Sequence, residues 1–184
     1  GTNIAKSQQA IQLAQHYPNH LSTTVGVHPH DASQFNVQTI SELQALAESE
    51  CVVAIGECGL DFNRNFSTPE QQTFAFEQQL KLACELGLPV FLHERDAFEV
   101  QIKLLTKYRN ALKGGVVHCF TGDIAQMNRY LDLDLYIGIT GWVCDLKRGQ
   151  ALREAVKSLP LNRILLETDA PYLRPKGLAN NRKV

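Results

Sequence analysis

The sequence predicts an α/β fold built on a parallel sheet, and three observations carry that prediction. Six short runs are almost continuously apolar, stretches with helical spacing alternate with them, and five of the runs end in or lead directly into His, Glu or Asp. Continuous apolar runs mark strands covered on both faces. Their alternation with helices implies right-handed crossovers between parallel strands. Two architectures satisfy this pattern: an open doubly wound sheet and a closed (β/α)8-type barrel. A barrel takes ~250 residues, against 184 here.

The strand runs are Leu21–Val27, Cys51–Gly56, Pro89–His93, Gly115–His118, Leu135–Thr140 and Arg163–Glu167. The first is the weakest, because LSTTVGV carries three hydroxyl residues. Helices are predicted over Ile4–His16, from Thr39, from Thr68, from Asp96, over Asp123–Leu131 and over Lys147–Lys157. Thr39 and Glu42 have capping-box spacing, with Ile40, Leu43, Leu46 and Ala47 on one face. Thr68 precedes Pro69 at the first helical position and Gln71 at the third, and Gly87 is placed to end that helix in a left-handed conformation. Asp96 is predicted to cap the next helix.

Composition narrows the class. A chain with 44% hydrophobic residues and 20% charged ones buries a sizeable core in one domain. Eighteen Lys+Arg against nineteen Asp+Glu leave a net charge of −1, which excludes a broad cationic nucleic-acid-coating surface. No apolar run approaches the roughly 18 residues of a membrane helix. The opening GTNIAKSQQA resembles neither a signal nor a transit peptide. Five cysteines with no C-x-x-C pair argue for reduced thiols in a cytoplasmic protein rather than a disulfide framework.

The strand ends carry the chemistry. Val27 leads into His28-Pro29-His30-Asp31, Gly56 into Glu57, Leu92 into His93-Glu94-Arg95, Val117 into His118-Cys119, and Leu166 into Glu167-Thr168-Asp169. In α/β folds these ends share one face, where active sites form. Glu57, His93, His118 and Asp169 combine imidazole with carboxylate, a donor set suited to Zn, Mn, Ni or Mg. Singly, each reads as a core histidine, a helix cap or a salt-bridge partner. Together, four such groups on one sheet face need mutual compensation, which divalent ions supply. Arg95, two residues beyond His93, falls on the same side of the strand and is a candidate phosphate contact. Glu94 should point the other way. Trp142 is a candidate base-stacking residue, with core packing as the alternative.

The strings GVHPH at 26–30, GECGLDF at 56–62, PVFLH at 89–93, HCFTG at 118–122, YIGITG at 136–141 and ETDAPY at 167–172 resemble the TatD family of metal-dependent deoxyribonucleases. Stretches 61–70 and 138–145 are closest to the TatD branch rather than its paralogues. The resemblance implies a TIM-type (β/α) barrel and a phosphodiesterase that hydrolyses DNA, as a 3′-to-5′ exonuclease on single-stranded ends, with a metal-activated water. It implies up to two divalent ions, Mg, Mn or Zn. Glu57 corresponds to the bridging carboxylate. His93 and His118 correspond to the histidines of one metal site. Asp169 corresponds to the carboxylate that binds the other ion and takes a proton from the attacking water. Glu57 and Asp169 are thus the expected catalytic residues, and His28 and Arg95 the expected substrate-binding ones. His28 and His30 stand at H-x-H spacing, but the resemblance sets them outside the ligand set.

The resemblance also implies an incomplete barrel. The six strands correspond to strands three to eight, with the first strand, its H-x-H pair and the C-terminal helix missing. Residues 1–184 are expected to form a single barrel domain, or a fragment of one. Two rival readings are an amidohydrolase-like small-molecule hydrolase and a non-catalytic metal-binding remnant.

Overall fold

The computed structural model describes residues 1–177. The chain divides into two compact units, one over Gly1–Val117 and one from His118 onward. The first unit runs α1 (Ile4–His16), β1 (Thr23–Val25), α2 (Val37–Ala47), β2 (Val52–Asp61), α3 (Pro69–Leu86), β3 (Val90–Arg95), α4 (Phe98–Tyr108) and β4 (Gly115–Val117). Its four strands are parallel and lie in the order β1-β2-β3-β4. The second unit runs α5 (Ile124–Asp132), β5 (Tyr136–Ile139), α6 (Gln150–Val156) and β6 (Ile164–Leu166), with β5 parallel to β6. This is the α/β alternation that the apolar runs predict.

Apolar side chains from both layers build each core. In the first unit Val25, Ile55, Leu60 and Leu92 of the strands are buried with Leu43, Phe76, Leu80, Ile102 and Leu105 of the helices. In the second, Ile137 and Ile139 are buried with Met127, Tyr130, Leu152 and Ala155. Each fully buried Leu or Ile contributes on the order of 1.5–3 kcal/mol over its exposed state.

Helix ends follow their local chemistry with two exceptions. Thr68 accepts from Gln71 N, the Gln71 side chain reaches back to Thr68 N, and Gly87 closes α3 at φ 62°. Asp123 and Gln126 form the same reciprocal pair on α5. For α2, however, the cap is Asn36, three residues before Thr39. Asn36 is the better cap because its oxygen reaches both Gln38 N and Thr39 N, while the Thr39 hydroxyl completes the box. Nor does Asp96 cap α4. It sits at φ 53° and accepts from Asn63 Nδ2 at 2.8 Å. Glu94 instead accepts from Ala97 N at 2.8 Å, so its carboxylate serves the entry to α4.

The largest departure from the sequence reading is β2, which continues five residues past Gly56. The register against β3 shifts between Gly56 and Cys58, then resumes as Gly59↔His93 and Asp61↔Arg95. Gly59 makes that pairing possible: at φ 138°, a Cβ there would lie 2.0 Å from the His93 carbonyl oxygen. No helix among the described residues is long and apolar enough to cross a membrane.

Candidate metal centre

The extension of β2 and the end of β3 place Glu57 beside His93. His93 Nδ1 lies 3.0 Å from Glu57 Oε1, and His28 Nε2, from the residue that follows Val27, lies 3.5 Å from the same oxygen. Ligand atoms of His28, Glu57 and His93 fall within 4.8 Å of one another. A divalent ion needs donors at that spacing, and neutral imidazole with carboxylate is a fitting donor set.

Hydrogen bonds assign the rings different roles. His28 Nδ1 accepts the His30 N–H at 3.1 Å. A neutral ring with that acceptor carries its proton on Nε2, so His28 presents a donor towards Glu57. Burial pushes the His28 pKa down, against the Glu57 carboxylate beside it, which favours that neutral form. His93 behaves oppositely. Burial pushes it down, but Asp61 and Glu57 outweigh burial and raise its pKa to about 9. Glu57 is held well below the usual carboxylate range, because its hydrogen bonds to His28 and His93 overcome the opposing effect of burial.

Asp61 is the anchor beneath this group. Its side chain is buried, accepts from Asn63 N and Arg64 N, lies 2.7 Å from His30 Nε2 and stands 3.7 Å from His93 Nε2. Those imidazole and backbone donors overcome burial and depress its pKa. Asp61 thus fixes the ring planes of two histidines from behind, as carboxylates do around metal sites.

The second unit holds a similar arrangement. His118 follows β4, and Asp169 lies three residues past β6 at φ 53°. His118 Nε2 is 3.4 Å from Asp169 Oδ1, and His118 Nδ1 is 3.0 Å from Glu167 Oε2. With a carboxylate on Nδ1, the ligating electron pair of a neutral ring belongs to Nε2, on the Asp169 side. Glu167 also accepts from Cys119 N at 2.9 Å. Ligand atoms of His118, Cys119 and Asp169 fall within 4.8 Å of one another, so this set too fits a divalent ion.

All four ligand candidates read from the sequence therefore stand in carboxylate–imidazole pairs. His28 joins the Glu57 group. Arg95 belongs to neither group: it is exposed at the end of β3. The sequence reading missed Asp61 and Glu167 as positioning residues. Both were visible within the strings GECGLDF and ETDAPY, but nothing in spacing distinguishes a carboxylate that orients a histidine from one that binds an ion. Trp142 has one neighbour that bears on its expected role, the Arg148 guanidinium 4.3 Å from its ring centroid.

Comparison with known proteins places the chain among relatives. The family described as TatD related DNase matches residues 1–184. The chain is 56% identical over 178 residues to a protein named 3′-5′ ssDNA/RNA exonuclease TatD from Erwinia amylovora, covering 97% of this chain and 69% of the relative. It is 56% identical over 179 residues to the protein of that name from Citrobacter rodentium, covering 97% and 68%. The structure is similar to a crystal structure of YJJV, a TatD homologue from Escherichia coli, with a TM-score of 0.87 and 32% identity over 98% of this chain and 69% of the other. That likeness fits an α/β fold of TIM type of which the chain covers part. The chain belongs to the TatD-related DNase family.

Proposed function

We propose that this protein is a metal-dependent phosphodiesterase that removes nucleotides from the 3′ end of single-stranded DNA. The observation that carries this reading is the twofold pairing of carboxylate with imidazole, Glu57 with His93 and Asp169 with His118. The names of its relatives supply the nucleic-acid substrate.

Glu57 and His93, and separately His118 and Asp169, hold up to two divalent ions, Mg, Mn or Zn. When bound, such ions supply Lewis acidity for phosphoester hydrolysis. Asp169 takes a proton from the attacking water at a carboxylate oxygen, and Glu57 supplies the anionic donor of its own group. His28 lines the substrate side of the Glu57 group and orients that carboxylate through its Nε2–H, and the Arg95 guanidinium binds the phosphate bidentately. Five cysteines, none in a disulfide, support a reducing compartment, the cytoplasm.

The test is hydrolysis of end-labelled single-stranded oligonucleotides, DNA and RNA in parallel, with added Mg or Mn. Stepwise loss from the 3′ end is expected. Glu57→Ala and Asp169→Ala should each lower kcat by about 100-fold or more. Unchanged turnover in both variants would reject the assignments.

A further inference from the structure

The loop after β2 presents an aromatic ring beside the Glu57 group that neither core packing nor ligation uses. Phe66 is 64% exposed. A single exposed apolar residue is ordinary, so its exposure carries nothing by itself. Its setting does. The Phe66 ring meets the His30 ring edge to face at 4.8 Å, His30 meets His28 at 4.3 Å, and His28 meets His93 at 4.4 Å. A continuous ladder of rings thus leads from solvent to the imidazole paired with Glu57.

The loop that carries Phe66 is pinned on both sides. Asp61 Oδ1 accepts from Asn63 N and Arg64 N, and Asn65 Nδ2 donates to Phe62 O. On the other side the buried Ser67 hydroxyl donates to His30 O and accepts from Ser33 N, while Gln72 Nε2 donates to Ser67 O. An apolar ring held still in water has lost its ordering entropy in advance, which favours stacking by a flat partner. Arg64, exposed in the same loop, offers a cation to the backbone that such a partner trails.

We propose that Phe66 is a nucleobase-stacking platform, taking a base that flanks the scissile phosphate of a single-stranded end. This rests on the nuclease reading above and deepens it. Stacking is blind to base identity because every base has a π-face, so Phe66 holds an end without selecting its sequence. It acts on binding rather than on the reacting atoms.

The test compares wild type, Phe66→Ala and Phe66→Tyr on two oligonucleotides, one ordinary and one abasic at its two 3′-terminal positions, with Mn present. Quenching of a 3′-terminal 2-aminopurine reports stacking directly. For the ordinary end, Phe66→Ala should raise KM by about 10-fold with kcat within about 2-fold of wild type, and should lose the quench. For the abasic end, KM should match wild type, and Phe66→Tyr should restore both readouts. Equal effects of Phe66→Ala on both oligonucleotides, or none, would overturn the platform while wild-type turnover keeps the nuclease reading. A wild type that degrades neither DNA nor RNA overturns both.

Discussion

At the scale of single residues, the ligand candidates are held by carboxylates that do not themselves join either ligand group. Asp61 stands behind His30 and His93, and Glu167 stands behind His118. Removing either charge frees a ring to rotate and lowers its basicity. Asp61→Asn and Glu167→Gln should each weaken divalent-ion affinity by about 10- to 100-fold, read by calorimetric titration, with an unchanged far-ultraviolet circular dichroism spectrum. An affinity equal to wild type in both would remove their positioning role. The ligand candidates themselves were legible in the sequence because His or a carboxylate follows an apolar run five times here. Their partners were not legible. Whether Asp61 faces a histidine depends on the β2–β3 register, which no local pattern encodes.

At the scale of elements, β2 shows how far local patterns reach. Apolar continuity places its start, but the strand carries Glu57 within it and runs on to Asp61, because a shifted register and Gly59 keep the pairing with β3 alive. Gly59→Ala puts a Cβ 2.0 Å from the His93 carbonyl oxygen at φ 138°. It should cost about 2–4 kcal/mol in urea unfolding and displace His93. Asp123→Ala, which removes a cap whose hydrogen bonds stay within the first turn of α5, should cost only about 1 kcal/mol and leave metal affinity untouched. The ends of α3 and α5 were readable because a cap is decided within four residues. Asp96 misled because a residue at the right spacing still needs the right backbone, and at φ 53° its carboxylate turns to Asn63 instead.

At the scale of the whole molecule, charge and ion binding set the response to conditions. A divalent ion that binds only the folded chain stabilises it by about 2.7 kcal/mol at 100 times Kd. Mn should therefore raise Tm and excess chelator should lower it, with no chelator effect expected in Glu57→Ala/Asp169→Ala. Acid acts through Asp145, which is buried and held below its usual 3.8 by Arg148 N–H, then by the Lys176 ammonium and the Arg148 side chain. A carboxyl depressed in the folded state stabilises that state above the unfolded value, and the contribution fades as pH falls through the folded one. Asp145→Asn should therefore lose stability near neutral pH and show a flatter decline below about pH 4, measured by urea unfolding across pH. Arg64 and Arg95 are the two cations proposed to contact phosphate, which corresponds to about two neutralised phosphates. The slope of log affinity for single-stranded DNA against log salt should stay between zero and about −2.

The sequence alone determined the strand–helix alternation, the ends of α3 and the start of α5, and the four ionisable groups at or near the ends of the apolar runs. These are local consequences of apolar continuity, helical spacing and cap chemistry, each complete within a few residues. Only the tertiary structure decided which carboxylate faces which ring nitrogen, that the His30 N–H makes His28 a donor, and that Phe66 stays in water at the end of a ladder of rings. Apart from the His28–His30 bond, those outcomes turn on distances of a few ångström between residues tens of positions apart, and strand register and loop anchoring set such distances.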